Sequence, residues 1–455
     1  MITATRTLQL ALCITLLVAQ SFAAQRHPNI VFFLADDMGY ADLACYGAPD
    51  AKTPRIDRLA DQGVKFLNAY AMGAECTPSR TSILTGRYPA RTKGMECAIG
   101  TGNVGRYDDA IELAERRQLG LPAARAVLAT ALKASGYRNA IFGKWHLGYE
   151  DHFSPLGQGF DEFTGFLGGN VSYFKHVELS DLHAYLRGRQ KITRDGYTTH
   201  LITEDAVDFL DRQKQERPDQ PFFLYLPHAA PHFPFQPPGG DTGSAPTAEE
   251  WTKGTRADYV KMLEDLDREV GKVIDALDQN GQAQDTIVVF ASDHGAMRPG
   301  LNTPWRDFKG TLFEGGIRVP MIVRWPGKIE PRSESEQVAT LMDLSSSFLR
   351  AAGARIPDGV QLDGVDILEH VETSTPDFPR TLFWRARRGD KTWKAVRDGD
   401  LKYVYLQPSA GAPSQESLFD LKSDPHEERD LSGSRGEAVA TIQAKLAGWE
   451  QEVGR

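Results

Sequence analysis

Two spacings of apolar residues alternate along the chain. Short β-rich runs at 29–35, 64–70, 139–142, 221–226 and 286–291 have the length of strands, and the first of them is uninterrupted, as a strand buried on both faces would be. Between them lie stretches with apolar residues three or four apart: a short helix opened by Thr53-Pro54, then 122–135 stopped by Gly136, 198–213, and 257–280 stopped by Gly281. In the last of these Tyr259, Leu263, Leu266, Val270, Val273, Ile274 and Leu277 share one face. Repeated helix-then-strand order predicts an α/β fold, a large mostly parallel sheet sandwiched by helices. After about residue 370 the pattern changes. Runs at 393–397 and 401–405 flank Asp398-Gly399, a hairpin signal, and with 381–385 they predict a small antiparallel sheet closed by a helix over 437–452. The division read from this is a large α/β domain over 25–370 and a smaller α+β domain over 371–455.

The first two dozen residues follow a different logic. Arg6 precedes an apolar run from Leu8 to Val18 that is too short to span a bilayer, and Ser21-Phe22-Ala23-Ala24 supplies small residues for cleavage. Residues 1–24 therefore read as a signal peptide, which makes the mature protein periplasmic or secreted with no stable membrane insertion. The chain carries a formal net charge of −9, and loss of Arg6 deepens it, so a general nucleic-acid surface is excluded. Cys45, Cys76 and Cys97 remain after cleavage. An odd number in an oxidising compartment leaves at least one thiol unpaired or chemically altered; Cys45 with Cys97 is one pairing open to the chain.

Open parallel sheets bind ligands at the carboxyl ends of their strands. Asp36-Asp37 follows the first strand, Gly143-Lys144-Trp145-His146 the next, His228 and His232 the strand at 221–226, and Ser292-Asp293-His294-Gly295 the strand at 286–291. Taken singly these are helix caps or polar loop linings. Together, Asp36, Asp37 and Asp293 make an oxygen-rich cluster suited to a hard divalent cation, with His294 a nitrogen donor less typical of calcium. Lys144, His146, His232 and, further on, Lys309 bring cationic or proton-transferring groups around an anion.

The stretch from Cys76 to Arg87 reads C-x-P-S-R-x-x-x-L-T-G-R. It resembles the signature of the formylglycine-dependent sulfatases (arylsulfatase and N-acetylgalactosamine-6-sulfatase-like) of the alkaline phosphatase superfamily. The resemblance extends through A-D-D-M-G-Y-A-D-L at 35–43, G-K-W-H-L-G at 143–148, S-D-H-G at 292–295 and K-G-T-L-F-E-G-G-I-R-V-P at 309–320 to L-F-D-L-K-S-D-P-H-E at 418–427. It implies an alkaline-phosphatase-like fold with a catalytic domain over 25–370. It also implies a formylglycine at position 76, made from Cys76 by a separate formylglycine-generating enzyme before folding. The aldehyde hydrates to a geminal diol; one hydroxyl attacks sulfur and the ester alcohol leaves, then deprotonation of the second expels the covalent sulfate by C–O cleavage. Carried over position by position, Asp36, Asp37, Asp293 and His294 resemble the ligands of one divalent cation, calcium by analogy, together with the residue-76 oxygen. Many family members have Asn where His294 stands. Arg80 would hold the diol, Lys144 and Lys309 the sulfate oxygens, His146 would take the second hydroxyl's proton, and His232 would protonate the leaving alcohol, with His228 a competitor for that task. Sulfate monoester hydrolysis on a sulfated saccharide or aryl sulfate is the function implied. A phosphate or phosphonate ester hydrolase of the same superfamily, and a non-catalytic protein that binds sulfated glycans, are the alternatives. Loops at 93–121, 153–173 and 297–306 would rim the substrate pocket, and nothing in them distinguishes one sulfated sugar from another.

Overall fold

A computed structural model describes residues 27–179, 184–240 and 243–454; the expected signal peptide lies outside them. Among the described residues twelve strands precede the C-terminal sheet: β1 (Asn29–Ala35), β2 (Val64–Phe66), β3 (Ala69–Tyr70), β4 (Arg138–Lys144), β5 (Glu162–Phe166), β6 (Tyr185–Arg187), β7 (Gln190–Lys191), β8 (Phe222–Pro227), β9 (Thr286–Ser292), β10 (Met321–Arg324), β11 (Ser333–Ser335) and β12 (Ala339–Thr340). Ten form one sheet in the order β11-β2-β10-β9-β1-β8-β4-β5-β6-β7. Its centre, β9-β1-β8-β4-β5, is parallel throughout, while β10 runs antiparallel beside β9 and β6 antiparallel beside β5.

Side-chain alternation splits β1 between two cores. Ile30, Phe32 and Leu34 join the cluster on one face of the sheet, and Val31, Phe33 and Ala35 join the other, where the helices Thr198–Glu216 and Arg256–Gln279 pack. Both faces are covered, which is why the run carries no polar residue from Ile30 to Ala35. Parallel register then fixes where the chemistry falls. Ala35 pairs with Ser292 and Leu34 with Pro227, so Asp36, Asp293 and His228 leave the sheet side by side. The backbone confirms the alignment: Asp293 N donates to Ala35 O at 3.1 Å and His228 N to Leu34 O at 2.9 Å.

Three sequence expectations need correction. The run at 64–70 is two strands, because β2 enters the large sheet while β3 pairs with β12 in a sheet of two. The helix expected over 122–135 starts only at Val127, after a 3-10 turn at Ala123–Arg125 that follows Pro122. Cys45 and Cys97 are free thiols; they pack in different hydrophobic clusters, and the Cys97 thiol donates to Glu75 Oε2 at 3.0 Å instead.

The small C-terminal domain is a four-stranded antiparallel sheet, β13 (Thr381–Arg388), β14 (Lys391–Asp398), β15 (Leu401–Gln407) and β16 (Gln415–Asp420), with a helix at Gly436–Glu452. The expected hairpin pairs Asp398 with Leu401 across Gly399, whose φ of +61° suits glycine. This sheet shares a hydrophobic cluster with Tyr70, Met72 and Ala74 and with Leu312, Phe313 and Ile317 of the large domain, and Trp384 Nε1 donates to Ala71 O at 2.8 Å. It therefore leans on the two segments that lead into Cys76 and out of Lys309.

Candidate active site

Cys76 opens a helix, Cys76–Thr85, in which every residue is buried. Such a helix is tolerable because its small polar residues bond inward: Thr77 Oγ1 donates to His146 O at 3.0 Å, Ser79 Oγ to Gly73 O at 2.9 Å and Thr81 Oγ1 to Thr77 O at 2.8 Å. Gly86, at φ +64°, caps its carboxyl end. The positive end of the helix therefore lies at residue 76, favouring negative charge there.

The strand ends converge on that position. Cys76 Sγ, 2% exposed, lies 3.2 Å from Lys144 Nζ, 3.3 Å from His294 Nε2, 3.5 Å from Asp36 Oδ1 and 3.8 Å from Lys309 Nζ. Lys144 bonds Asp36, and Lys309 bonds Asp37. Arg80 reaches back from the buried helix to place Nε 3.1 Å from Asp293 Oδ2 and to donate from Nη1 to Lys144 O at 3.0 Å. Asp37 and His146 hold φ of +61° and +60°, backbone values that ordinary residues adopt only under constraint.

Each histidine is oriented by a carbonyl. His294 Nδ1 donates to Gly295 O at 3.0 Å, which leaves Nε2 facing Cys76. His146 Nε2 donates to Ile99 O at 2.8 Å, leaving Nδ1 buried as a lone-pair nitrogen with no partner among the described residues. His232 Nδ1 donates to Phe233 O at 2.6 Å, so Nε2 is the acceptor 3.2 Å from Lys309 Nζ and lies 3.5 Å from Asp37 Oδ2. His228, by contrast, is turned into the core against Phe33 and touches none of these groups.

Burial dominates the titration of the site and sets the direction for Asp37 and His146, while neighbouring charge reverses it for Asp36 and His294. Burial lifts Asp37 to about 7, against the pull of Lys309 and His294. Asp36, though equally buried, is held well below the usual carboxylate range by Lys144, His232 and Arg80. Burial followed by Lys144 pushes His146 down to about 3, so its ring is neutral at any working pH. Burial would lower His294 too, but Asp293 and Cys76 raise it to about 9.

One ligand atom each from Asp36, Asp37, Cys76 and His294 fits within a span of 4.8 Å. Two carboxylates and an imidazole gathered in a buried pocket are a donor set that fits a divalent cation. Asp293, expected as a fourth protein ligand, stands outside that group of four: its Oδ2 is held by Arg80, while its Oδ1 lies 3.3 Å from His294 Nε2.

Of the expected rim loops, 93–121 supplies Ile99 to His146, and 153–173 brings Gly169 against the same ring. Arg116 and Arg117 are spent on surface pairs with Glu112 and Glu150. Sequence reasoning missed Glu178, a buried carboxyl lifted to about 7 by burial and bonded by Tyr149 Oη at 3.3 Å, and it missed the turn between β13 and β14. No local pattern marks either; tertiary packing brings Glu178 against Tyr149 and Gly168, and the turn against Glu75.

Residues 28–354 match the family model described as Sulfatase, and residues 304–452 the one described as N-sulphoglucosamine sulphohydrolase, C-terminal. N-acetylgalactosamine-6-sulfatase of Mus musculus is 33% identical over 377 residues, 79% of this chain and 69% of that protein. Against the Rattus norvegicus protein of the same name the share of the relative's length is 66%. Arylsulfatase A of Homo sapiens is 32% identical over 486 residues, 95% of this chain and 88% of that protein. The crystal structure of Ps i-CgsB in complex with k-i-k-neocarrahexaose aligns with a TM-score of 0.80 at 29% identity, covering 93% of this chain and 92% of that one. Among the described residues no helix is long and apolar enough to cross a membrane. With the family match running unbroken from residue 28 to residue 354, across each of the converging strand ends, the chain belongs to the sulfatase family of the alkaline phosphatase superfamily and is a sulfuric ester hydrolase.

Proposed function

We propose that this sulfatase removes sulfate from a sulfated saccharide, using residue 76 in its formylglycine form and one calcium ion held by Asp36, Asp37 and His294. Asp293 would join through Oδ1, the oxygen that Arg80 leaves free and that lies 3.3 Å from His294 Nε2. The observation that carries the reading is the ring of Lys144, His294, Asp36 and Lys309 around Cys76 Sγ, all within 3.8 Å. When present, the cation supplies positive charge at the attacking oxygen, and the hydrated aldehyde supplies that oxygen. The remaining tasks fall to side chains. Arg80, fixed by Asp293 and the Lys144 carbonyl, would hold the nucleophile; its buried Nη2 lies 3.1 Å from Asp293 Oδ2 and 3.6 Å from Asp36 Oδ2. Lys144 and Lys309 would exchange their carboxylate partners for sulfate oxygens and stabilise charge as it develops. His146 would accept a proton at Nδ1. His232 and Lys309, already hydrogen-bonded, would act as a pair: an incoming sulfate monoanion offsets the burial and the Lys309 charge that hold His232 well below the usual imidazole range, and Nε2 can then carry a proton to the leaving alcohol.

A saccharide is favoured by the names of the relatives, N-acetylgalactosamine-6-sulfatase and the complex with neocarrahexaose, and by Phe308, an exposed ring next to Lys309. The same reading takes 1–24 as a signal peptide, places the protein in the periplasm or outside the cell, divides the mature chain at about residue 370 and requires a formylglycine-generating enzyme. The test is sulfate release from a panel of defined sulfated saccharides and matched phosphate esters, with intact mass of residue 76 and bound calcium measured on the same preparation. Release from a saccharide by aldehyde-bearing protein, and none by Cys76→Ala, is expected. Faster release of phosphate, or full turnover by protein carrying the unmodified thiol, would refute it.

A further inference from the structure

Beside the reacting groups, beneath the edge of the C-terminal sheet, lies a cavity of about 110 Å³ to which none of the roles above belongs. Taking about 30 Å³ per water, it has room for a group the size of a sulfate. Its catalytic-domain wall is Glu75, immediately before Cys76, together with Cys97 and Gly310, which immediately follows Lys309. Its other wall is Arg388, Lys391 and Trp393, at the turn between β13 and β14. Gly310 N donates to Ala74 O at 2.9 Å, lacing together the two segments that carry Cys76 and Lys309 where the cavity begins. The residue before Cys76 and the residue after Lys309 thus both line the cavity.

The charges of the walls decide what this space accepts. Both carboxylates in the lining are already satisfied. Glu75 accepts from Ala98 N at 2.7 Å, from the Cys97 thiol at 3.0 Å and from Arg388 Nη1 at 3.1 Å. Glu96 is gripped by Arg385 and Arg387. The cations are not. Arg388 spends one donor on Glu75 and leaves its side chain 55% exposed. Lys391 rests its ammonium 4.7 Å from the centre of the Trp393 ring, feels the Asp307 carboxylate, and makes no salt bridge among the described residues. Spare guanidinium and ammonium donors over an aromatic floor, in a chain of net charge −9, make a local positive site.

We propose that this cavity is a second-anion subsite: Arg388 and Lys391 bind an oxyanion, sulfate ester or carboxylate, on the sugar next to the one that loses its sulfate. The inference rests on the saccharide reading above. It makes the C-terminal domain a determinant of which sulfated chain is cut, since the scissile group sits among strand ends of the large sheet and its neighbour is read by the small one.

The experiment compares kcat/KM for a disaccharide bearing only the scissile sulfate with the same disaccharide bearing, on the adjoining ring, a second sulfate or a carboxylate. Wild type should prefer a doubly anionic form, and the larger preference identifies the group. Loss of one charge-assisted hydrogen bond should cut that preference about tenfold in Lys391→Gln and in Arg388→Gln, while Lys391→Arg retains it. A preference unchanged in both Gln variants overturns the subsite. If wild type releases sulfate from neither disaccharide class nor any other saccharide, the saccharide reading fails and the subsite with it, a result visible before any variant is made.

Discussion

His228 and His232 sit four positions apart in one loop, yet their surroundings differ in every respect that matters to proton transfer. The His228 ring stacks at 6.5 Å on Phe33, neither of its nitrogens has a partner among the described residues, and burial pushes it down to about 3. His232 has one nitrogen pinned by a carbonyl and the other against Lys309. On the proposed reading, His232→Ala should lower kcat on a sugar sulfate by about 10²–10⁴-fold, and by far less on an activated aryl sulfate whose alcohol leaves without help. His228→Ala should lower thermal stability and reduce both substrates by the same factor. Steady-state kinetics on the two substrates, with a melting curve for each variant, decide it; a selective loss in His228→Ala would transfer the acid role. In the sequence the family resemblance pointed to His232, with His228 left as a competitor. The tautomer of His146, set by the Ile99 carbonyl, had no sequence signal, because the partner lies 47 residues away in an irregular loop.

At the scale of elements, the Gly168-Gly169 pair after β5 has a steric reason. A Cβ on Gly169 would stand 2.7 Å from His146 Cε1 and 2.8 Å from Nε2, and one on Gly168 would stand 2.0 Å from Glu178 Oε1. On the proposed role of His146, Gly169→Ala should therefore displace the imidazole from Ile99 and cost about 10²-fold in kcat, as a misplacement of about 1 Å does, with KM and melting temperature little changed. A fall in KM-dependent binding alone would contradict a positioning role. The elements legible from sequence were those long enough to carry their own period: β1, β8, β9, the helices 198–216 and 256–279, and the β14–β15 hairpin. Strands of two to five residues, such as β5, β7, β10 and β12, carry too few residues to show alternation and exist only because a neighbour offers its edge. For the same reason the strand-end residues were found, whereas the small sheet's approach to the site was not.

Over the whole molecule, the two sheets are joined by an ionic cluster sealed from water. Lys402 on β15, fully buried, lies 2.8 Å from Glu314 and 2.8 Å from Glu427, and Arg318 reaches Glu314 at 3.2 Å. Glu314 stands five residues beyond Lys309, so this pairing steadies the segment that carries it. Lys402→Met leaves two buried carboxylates facing each other and should destabilise folding by about 3–5 kcal/mol, measured by chemical denaturation. A loss below about 1 kcal/mol would mean that the domains are held by apolar contact alone. These partners are far apart in sequence and individually ordinary, which is why no motif announced them. The same enclosure surrounds the Cys76–Thr85 helix, and it changes how damage there must be diagnosed. Its hydroxyls are fastened to backbone carbonyls inside the protein, so most positions of the signature stretch are part of the scaffold that carries residue 76. A laboratory variant in this buried stretch that abolishes turnover can be a chain that fails to fold rather than one with broken chemistry, and abundance has to be counted before activity is assigned.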